Sequence, residues 1–329
     1  MTLGAPFNLD DLEILTFGRS SVDMYPEQQN VPLADVSTFR KSIGGSPTNV
    51  AVAAARLGRK AAVINRVGDD AFGAYIRQAL REFGVHDEFI STDPELLTPV
   101  VFCELMPPEE PSIYFYREPR GPDMAISVAD MPMDTIRSVP LFWLAGSRFA
   151  EEPSRSAAMA ALEARGRKQH TVIDLDYRPM FWDSPGQAGE FISPSIDHCT
   201  VAVGNRDECE IALGTRIPDE AADRMLERGV EIAIVKQGAE GVMVATANSR
   251  TVLEPIRVPV VCGLGAGDAF GGSLAHGLLA GWDPAEIVYR ANAAGAIVAG
   301  RLMCSDEMPT ADEIDYLLAT GNIAKRVQS

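Results

Sequence analysis

The stretch Gly263-Leu-Gly-Ala-Gly-Asp-Ala-Phe270 places a carboxylate inside a glycine-rich turn that leads into an apolar helical pattern. Glycines let the backbone approach a ligand closely, and the free N–H groups at a helix start bind anions. A hydroxyl held beside Asp268 could lose its proton to this side chain while the amides of Gly265, Ala266 and Gly267 stabilise the developing charge. A structural interpretation is equally open, in which the glycines allow close packing and the aspartate caps the helix.

A second glycine pair stands before a helix near the N-terminus. Gly44 and Gly45 precede the alanine-rich segment 47–57, for which the sequence predicts a helix with Ser46 as its N-cap. Asn49 lies in the first turn of this helix and offers both a donor and an acceptor to a polyol. A well-capped packing helix is the alternative, and it leaves only the two consecutive glycines unexplained.

A third set of polar residues lies at the end of a predicted strand over 171–175. Asp174, Asp176 and Arg178 alternate there, at the carboxyl end of the strand, where parallel sheets bind their ligands. The period-two spacing directs the three side chains to one side if the chain stays extended. The guanidinium fork of Arg178 matches a carboxylate or a phosphate at two points. A local ion pair at the sheet edge is the alternative.

Two further motifs are weak when taken alone. Asn205 and Glu208 have the spacing of a helix capping box, and the same residues could orient water around a Mg²⁺ ion carried by nucleotide phosphates. Lys236 ends a predicted strand, and Gly238 and Gly241 form the loop that follows. By itself this loop predicts an ordinary turn.

Short β-rich runs alternate with helical patterns, which predicts a mainly parallel sheet with helices on both faces. Strands are predicted over 14–18, 61–67, 141–146, 171–175, 200–203 and 232–236. Helices are predicted over 47–57, 72–83, 154–165, 206–213, 219–228, 267–280, 284–300 and 311–319. Regions 21–43 and 98–125 break this alternation and predict a small β-lid. We expect a flexible leader over 1–11 and one domain over 12–329.

Composition excludes several classes of protein. The chain has 329 residues and a net charge of −17, which argues against binding to nucleic acids or anionic membranes. Its five cysteines are odd in number and lack C-x-x-C spacing, so we expect reduced thiols in the cytoplasm rather than disulfides. No run of about eighteen apolar residues predicts a membrane span. No Walker A pattern is present, which excludes a P-loop kinase.

Together, the Gly-Gly-x-x-x-Asn helix, the Asn-x-x-Glu motif and the Gly-Ala-Gly-Asp turn resemble the ribokinase-like (PfkB) family of carbohydrate and nucleoside kinases. The resemblance covers residues 14–310. It implies a three-layer α/β fold with a β-lid, ATP and Mg²⁺ as cofactors, and an alcohol that is phosphorylated with Asp268 as base. The amides of residues 265–267 would bind the transferring phosphate.

The resemblance also implies roles for the other candidate residues. Substrate hydroxyls would be bound by Asp23, Gly44, Gly45 and Asn49. The nucleotide would be bordered by Asn205, Lys236, Gly238, Gly241 and Asn292. The metal would be held through water and phosphate by Asn205 and Glu208. Relatives carry Asp-Thr-Thr or similar residues where this chain has Cys262-Gly-Leu264, so a monovalent-cation site stays open.

Within the family, residues 18–26, 38–49 and 174–182 are most similar to kinases of sugar acids. A carboxylate on the substrate agrees with Arg117 on the predicted lid and Arg178 at the sheet edge. Another PfkB sugar kinase is the alternative enzyme, and a catalytically silent sugar-binding regulator is the alternative outside enzymes. The expected partners are a small sugar acid and ATP, and we expect a homodimer through the lid.

Overall fold

The computed structural model describes residues 8–28, 30–106 and 111–324. Its strands, in chain order, are β1 Ile14–Phe17, β2 Ser21–Pro26, β3 Phe39–Gly44, β4 Ala61–Gly68, β5 Val85–His86, β6 Ile90–Asp93, β7 Val100–Glu104, β8 Ser112–Tyr116, β9 Leu141–Ala145, β10 Thr171–Asp174, β11 Val201–Asn205, β12 Ile232–Lys236, β13 Val242–Ala245 and β14 Arg250–Leu253. Its α-helices are α1 Ser46–Arg56, α2 Ala71–Glu82, α3 Met133–Ser138, α4 Ser154–Arg165, α5 Pro185–Ile192, α6 Arg206–Leu213, α7 Pro218–Glu227, α8 Ala266–Ala280, α9 Pro284–Ala299 and α10 Ala311–Thr320.

Ten strands form the central sheet, in the order β14-β13-β12-β11-β10-β9-β1-β4-β5, with β6 also paired to β4. All pairs from β12 to β5 are parallel, whereas β13 and β14 add an antiparallel edge. The predicted mainly parallel α/β sheet is therefore confirmed.

Two hydrophobic cores cover the two faces of this sheet, because successive side chains of a strand point to opposite faces. On β1, Ile14 packs into the core formed with α1, α2, α8, α9 and α10, whereas Leu15 packs into the core formed with α3 to α7. Both residues are fully buried. The sheet and its two helical layers give the three-layer architecture.

A second sheet of four strands stands apart from the central one, in the order β3-β2-β7-β8. We call these four strands the lid sheet. They come from the two regions in which the sequence lacks helical patterns. Residues 107–110 of the predicted lid region and 1–7 of the predicted leader lie outside the described residues, and Leu9–Asp11 form a 3-10 turn.

The six predicted strands and eight predicted helices are all present, with strand ends within two residues and helix ends within one. The predicted N-cap of α1 is wrong. Gly45, with φ of 104°, precedes the helix, and Ser46 is its first residue. Throughout the described part of the chain, no helix is long and apolar enough to span a membrane.

Candidate active site

The strand order of the central sheet reverses at β1, whose neighbours are β4 on one side and β9 on the other. In open α/β sheets such a reversal opens a crevice at the carboxyl ends of the strands, where ligands bind. Strand β2 begins four residues after β1 ends, and this short connection brings the lid sheet to the crevice. Sheet topology therefore predicts the location of the site without reference to any motif.

A pocket lies between these strand ends and the lid sheet. It is lined by Arg19, Ser21, Asp23, Gly45, Ser46, Asn49, Val101, Cys103, Ile113, Phe115, Arg178, Leu264, Gly265, Asp268 and Cys304. Six of the residues singled out from the sequence meet here, although they come from four separate segments of the chain. Below, we call it the acceptor pocket.

Asp268 is half-buried in the first turn of α8, at the wall of the acceptor pocket. The Asn49 amide donates to its Oδ2 at 2.7 Å, and Ser46 also donates to this carboxylate. Ser305 donates to Asn49 Oδ1 at 2.6 Å, which directs the Asn49 Nδ2 toward Asp268. Burial raises the pKa of Asp268, and the hydrogen bonds from Asn49 and Ser46 oppose that rise.

The start of α8 is arranged to receive an anion. Gly265 is its N-cap in the left-handed region, with φ of 81°. Among the residues that the structure describes, neither the N–H of Gly267 nor that of Asp268 donates to a backbone carbonyl. The Lys236 ammonium lies 3.7 Å from where a Cβ on Gly267 would stand. The start of α8 therefore combines two free amides, the positive end of the helix dipole and the nearby lysine ammonium.

The paired glycines before α1 have a steric explanation that the sequence alone did not provide. A Cβ on Gly44 would lie 2.0 Å from Asp23 Oδ2, and one on Gly45 would lie 2.2 Å from the Arg19 carbonyl oxygen. Gly44 thus leaves room for the Asp23 carboxylate, and Gly45 lets the chain pass close to the backbone of Arg19. Burial raises the pKa of Asp23 to about 6, against the hydrogen bond from Ser21.

Asp174 and Asp176 have opposite electrostatic environments although they are two residues apart. Burial alone would raise the pKa of Asp176, but Arg178, which donates to its Oδ1 at 2.9 Å, holds it below the usual value. Burial raises the pKa of Asp174 to about 7, even though the nearby Lys236 ammonium opposes that rise. The predicted local ion pair therefore exists, and it involves only the second aspartate.

Replacing Asp174 with Asn should change how stability depends on pH. Because the pKa of Asp174 is about 7 in the folded chain, against an ordinary value of 3.8 for aspartate, only the folded chain holds this proton between those pH values. Stability from this group is therefore lost as pH rises through that window. We expect Asp174→Asn to raise the free energy of unfolding above that of the wild type at pH 8. This gain should exceed the difference between the two proteins at pH 4 by about 1 kcal/mol or more.

Urea unfolding of the wild type and Asp174→Asn from pH 4 to pH 8 measures this effect. Asp134→Asn, at an aspartate whose side chain is fully exposed, is the matched control. Parallel pH profiles for the wild type and Asp174→Asn would contradict the expectation.

A larger groove of about 740 Å³ runs along the other side of the α8 turn. Lys236, Gly238, Gly241 and Asn292, which were singled out from the sequence, line it together with Gly267. The Asn292 Nδ2 is buried without a hydrogen-bond partner among the described residues. We call this groove of about 740 Å³ the donor groove. Asp268 and Gly267, adjacent in sequence, therefore face the acceptor pocket and the donor groove respectively.

Asn205 and Glu208 form the capping box of α6. Glu208 N donates to Asn205 Oδ1 at 2.9 Å, and Asn205 N donates to Glu208 Oε2 at 2.6 Å. Neither residue lines the acceptor pocket or the donor groove. Buried Glu208 nevertheless acts on Lys236, because the carboxylates of Asp174 and Glu208 outweigh burial and raise the pKa of that lysine. The metal role of Asn205 and Glu208 stays a prediction.

The arginine singled out on the lid is engaged elsewhere. Arg117 Nη2 lies 3.4 Å from Asp123 Oδ1, and its guanidinium stacks over Phe181 at 4.6 Å. It lines a groove beside the acceptor pocket rather than the pocket itself. The role of Arg117 toward a substrate carboxylate therefore stays a prediction.

Sequence reasoning missed Arg19, which lines the acceptor pocket one residue after Gly18 at the carboxyl end of β1. It is only 8% exposed, and its Nε and Nη1 have no hydrogen-bond partner within the described ranges. A charged residue directly after a buried strand was the available signal, because that position faces the crevice of an open α/β sheet.

The fold, and the two cavities that meet at the start of α8, have the arrangement expected of a kinase. Residues 11–311 match the model of the pfkB family of carbohydrate kinases, so the chain belongs to this family and is a sugar kinase. The 5-dehydro-2-deoxygluconokinase of Geobacillus thermodenitrificans is 31% identical over 97% of this chain and 96% of that protein. The Bacillus subtilis protein of the same name is 29% identical, over 93% of this chain and 95% of that protein.

Solved structures agree with the fold. Fructokinase from Vibrio cholerae, bound to fructose, ADP and calcium ion, has a TM-score of 0.82 at 26% identity, over 94% of this chain and 100% of that chain. An E. coli protein provisionally assigned as ribokinase II, in complex with ATP and Mg²⁺, has a TM-score of 0.85 at 22% identity, over 94% of this chain and 99% of that chain. The ribokinase-like architecture is therefore confirmed.

Proposed function

We propose that this carbohydrate kinase transfers the γ-phosphoryl group of ATP to the primary hydroxyl of 5-dehydro-2-deoxy-D-gluconate, giving the 6-phosphate in myo-inositol catabolism. The observation that carries the proposal is the α8 turn, where Asp268 lines the acceptor pocket and Gly267 lines the donor groove. The names of the two relatives support the choice of substrate.

In this mechanism the acceptor hydroxyl lies against Asp268, which accepts its proton as the oxygen attacks the γ-phosphorus, and the bond from that phosphorus to the bridging oxygen breaks to release ADP. Asn49 holds the carboxylate in place through its 2.7 Å hydrogen bond. The free amides of Gly267 and Asp268 and the Lys236 ammonium stabilise charge on the transferring group. Phosphoryl transfer passes through a loose transition state, so positioning and charge stabilisation carry most of the rate enhancement.

ATP and Mg²⁺ are part of the proposal. The described residues include no cluster of three or more His, Cys, Asp or Glu side chains that could hold a metal by themselves. This agrees with Mg²⁺, which keeps several waters and is held through one or two carboxylates and the substrate phosphates. Asn205 and Glu208, the residues that the sequence assigns to the metal, would hold the ion's water shell, and Glu208 raises the pKa of Lys236 together with Asp174 and Asp268. When bound, Mg²⁺ neutralises charge on the phosphates.

A panel of acceptors with ATP and Mg²⁺ tests the function through ADP release. The panel contains 5-dehydro-2-deoxygluconate, 2-keto-3-deoxygluconate, fructose and ribose. We expect the highest kcat/KM for the first acid. A preference for 2-keto-3-deoxygluconate would instead favour the alternative function, that of a 2-keto-3-deoxygluconate kinase. A preference for a neutral sugar would contradict any assignment to sugar acids.

Two further parts of the proposal concern the whole molecule. A cytoplasmic location is supported by the five cysteines, which are all free and buried. A homodimer through the lid stays a prediction, which a measurement of molecular mass in solution tests.

A further inference from the structure

Four arginines lie in or around the acceptor pocket: Arg19 and Arg178 line it, Arg117 lines the neighbouring groove, and Arg148 shares a carboxylate with Arg117. Arg178 donates to Asp176 at 2.9 Å, and the other oxygen of Asp176 accepts from Ser147 at 2.7 Å. Arg117 and the fully buried Arg148 share Asp123. Each of these three arginines therefore has a carboxylate partner.

Arg19 is the exception in this group. Within the described ranges no carboxylate lies at ion-pair distance from it, although Asp176 and Asp23 are near enough to act on its charge. Asp176 is already engaged through both oxygens, and Asp23 Oδ1 accepts from Ser21 at 2.6 Å. The neighbouring charges of Arg178 and Arg117 repel that of Arg19. The protein thus buries a positive charge that it does not neutralise.

Two aromatic rings hold the Arg19 guanidinium in place. Phe115 of the lid sheet and Phe181 lie at 5.3 Å and 5.4 Å from its central carbon, measured to the ring centroids. Cation–π contacts orient the planar group, but they supply no hydrogen-bond acceptor for its edge. The Nε and Nη1 donors of Arg19 therefore stay unpaired while the group itself is fixed.

A buried unpaired charge destabilises a fold, so its presence in a binding pocket calls for an anionic partner. The acceptor at Asp268 must be a hydroxyl, and Asp268 is a carboxylate that would repel an anion. An anionic group on the substrate is therefore favoured at the Arg19 end of the pocket. A carboxylate fits because it accepts two parallel hydrogen bonds from one edge of a guanidinium, which here is Nη2 with either Nε or Nη1, since Nε and Nη1 lie on different edges.

We propose that Arg19 is the residue that recognises the C1 carboxylate of the sugar acid. Phe115 of the lid sheet orients its guanidinium. This inference rests on the proposed function, since it assumes a sugar acid whose C6 hydroxyl faces Asp268. Binding of the substrate then places a negative charge beside the Arg19 guanidinium. Arg19 is therefore a specificity-determining residue, and it discriminates sugar acids from neutral sugars.

Steady-state kinetics of the wild type, Arg19→Met and Arg19→Lys test this proposal on a matched pair of acceptors. The pair is 5-dehydro-2-deoxygluconate and its neutral C1 amide, which differ in charge at one carbon. We expect Arg19→Met to lower kcat/KM for the acid by about 10- to 100-fold, mainly through KM, and for the amide by less than about threefold. Arg19→Lys should fall between the two, because an ammonium keeps the charge but loses the fork.

Thermal unfolding separates recognition from a purely structural role. Without ligand, Arg19→Met should melt at the same temperature as the wild type or higher, because it removes an unneutralised buried charge. Saturating sugar acid should raise the melting temperature of the wild type and leave that of Arg19→Met nearly unchanged. Arg290→Met is the matched control, since Arg290 also stacks on an aromatic ring, Trp282 at 5.0 Å, but lies outside the described pockets.

Equal losses of kcat/KM on the acid and the amide would overturn the proposal, as would a marked fall in the melting temperature of ligand-free Arg19→Met. The proposed function fails separately, if the wild type does not turn over 5-dehydro-2-deoxygluconate. If another sugar acid is then preferred, the same comparison with that acid and its amide decides the role of Arg19. A wild type that prefers neutral sugars rejects both statements.

Discussion

Replacing Asp268 with Asn is expected to lower kcat by about 10² to 10⁴, the usual contribution of a general base. The amide cannot accept the proton of the attacking hydroxyl. Its single oxygen can still accept from Asn49, which donates to Oδ2 of the present carboxylate, so the start of α8 should keep its geometry. The chemical step is therefore affected and the fold is not.

Three measurements check this expectation: kcat with the preferred acceptor, the Kd for ATP and the melting temperature. The Kd for ATP should stay within about threefold of the wild-type value, because the donor groove is not lined by residue 268. Asp312→Asn, at an exposed aspartate in the first turn of α10, is the matched control for loss of a carboxylate at a helix start. If Asp268→Asn kept more than about a tenth of the wild-type kcat, the assigned base would be wrong.

Two glycines of the same turn should respond differently to substitution. A Cβ on Gly265 would lie 2.6 Å from Cys304 Sγ, and its φ of 81° disfavours any L side chain. Gly265→Ala should therefore destabilise the fold by about 1 to 3 kcal/mol. Gly267 lies in regular helix, and the nearest atom to its Cβ would be Lys236 Nζ at 3.7 Å. Gly267→Ala should fold normally and lower kcat by more than about tenfold, because its methyl group occupies the space of the transferring phosphate.

The comparison is made by measuring kcat and the melting temperature for both variants. Gly186→Ala in α5 is the control, since its Cβ would meet only Ser184 Oγ at 3.9 Å, far from the turn in sequence. A Gly267→Ala enzyme with wild-type kcat would mean that this glycine serves packing and not the phosphate. A Gly265→Ala chain of unchanged stability would contradict the strain argument.

Most of the central sheet could be predicted from the sequence because its strands are continuous apolar runs flanked by helical periodicity. Helix α5 could not. Its sequence contains Gly186 and Gly189, which lower helix propensity, and Ser184 caps it by accepting from Gln187 N. A Cβ on Gly189 would lie 2.5 Å from the Ile211 carbonyl oxygen, so this glycine allows α5 to pack against α6. Tertiary contact therefore overrides local propensity here.

The candidate site was predictable where a motif holds the residues together and was not where the fold alone does. The α8 turn and Asn49 could be read from glycine spacing and polar chemistry. Ser305, which orients Asn49, lies 256 residues away, and no local pattern links the two. Arg19 shows the same limit in part, because its position after β1 indicates the crevice, but its lack of a carboxylate partner is visible only in the folded chain.

Hydrogen bonds run from the lid sheet to the reacting carboxylate. Tyr25 of β2 donates to Cys304 at 2.8 Å, and Ser42 of β3 donates to Asp306. Between these two anchors, Ser305 holds the amide of Asn49.

The position of the lid sheet and the orientation of the Asp268 carboxylate are therefore coupled. Were the lid sheet to move away, the hydrogen bonds to Cys304 and Asp306 would break, and Ser305 would no longer be held beside Asn49. Asp268 would then keep the hydrogen bond from Ser46 but lose the fixed donor at its Oδ2. The carboxylate would therefore be fully oriented for proton transfer only with the lid sheet in place, which would disfavour transfer of the phosphoryl group to water.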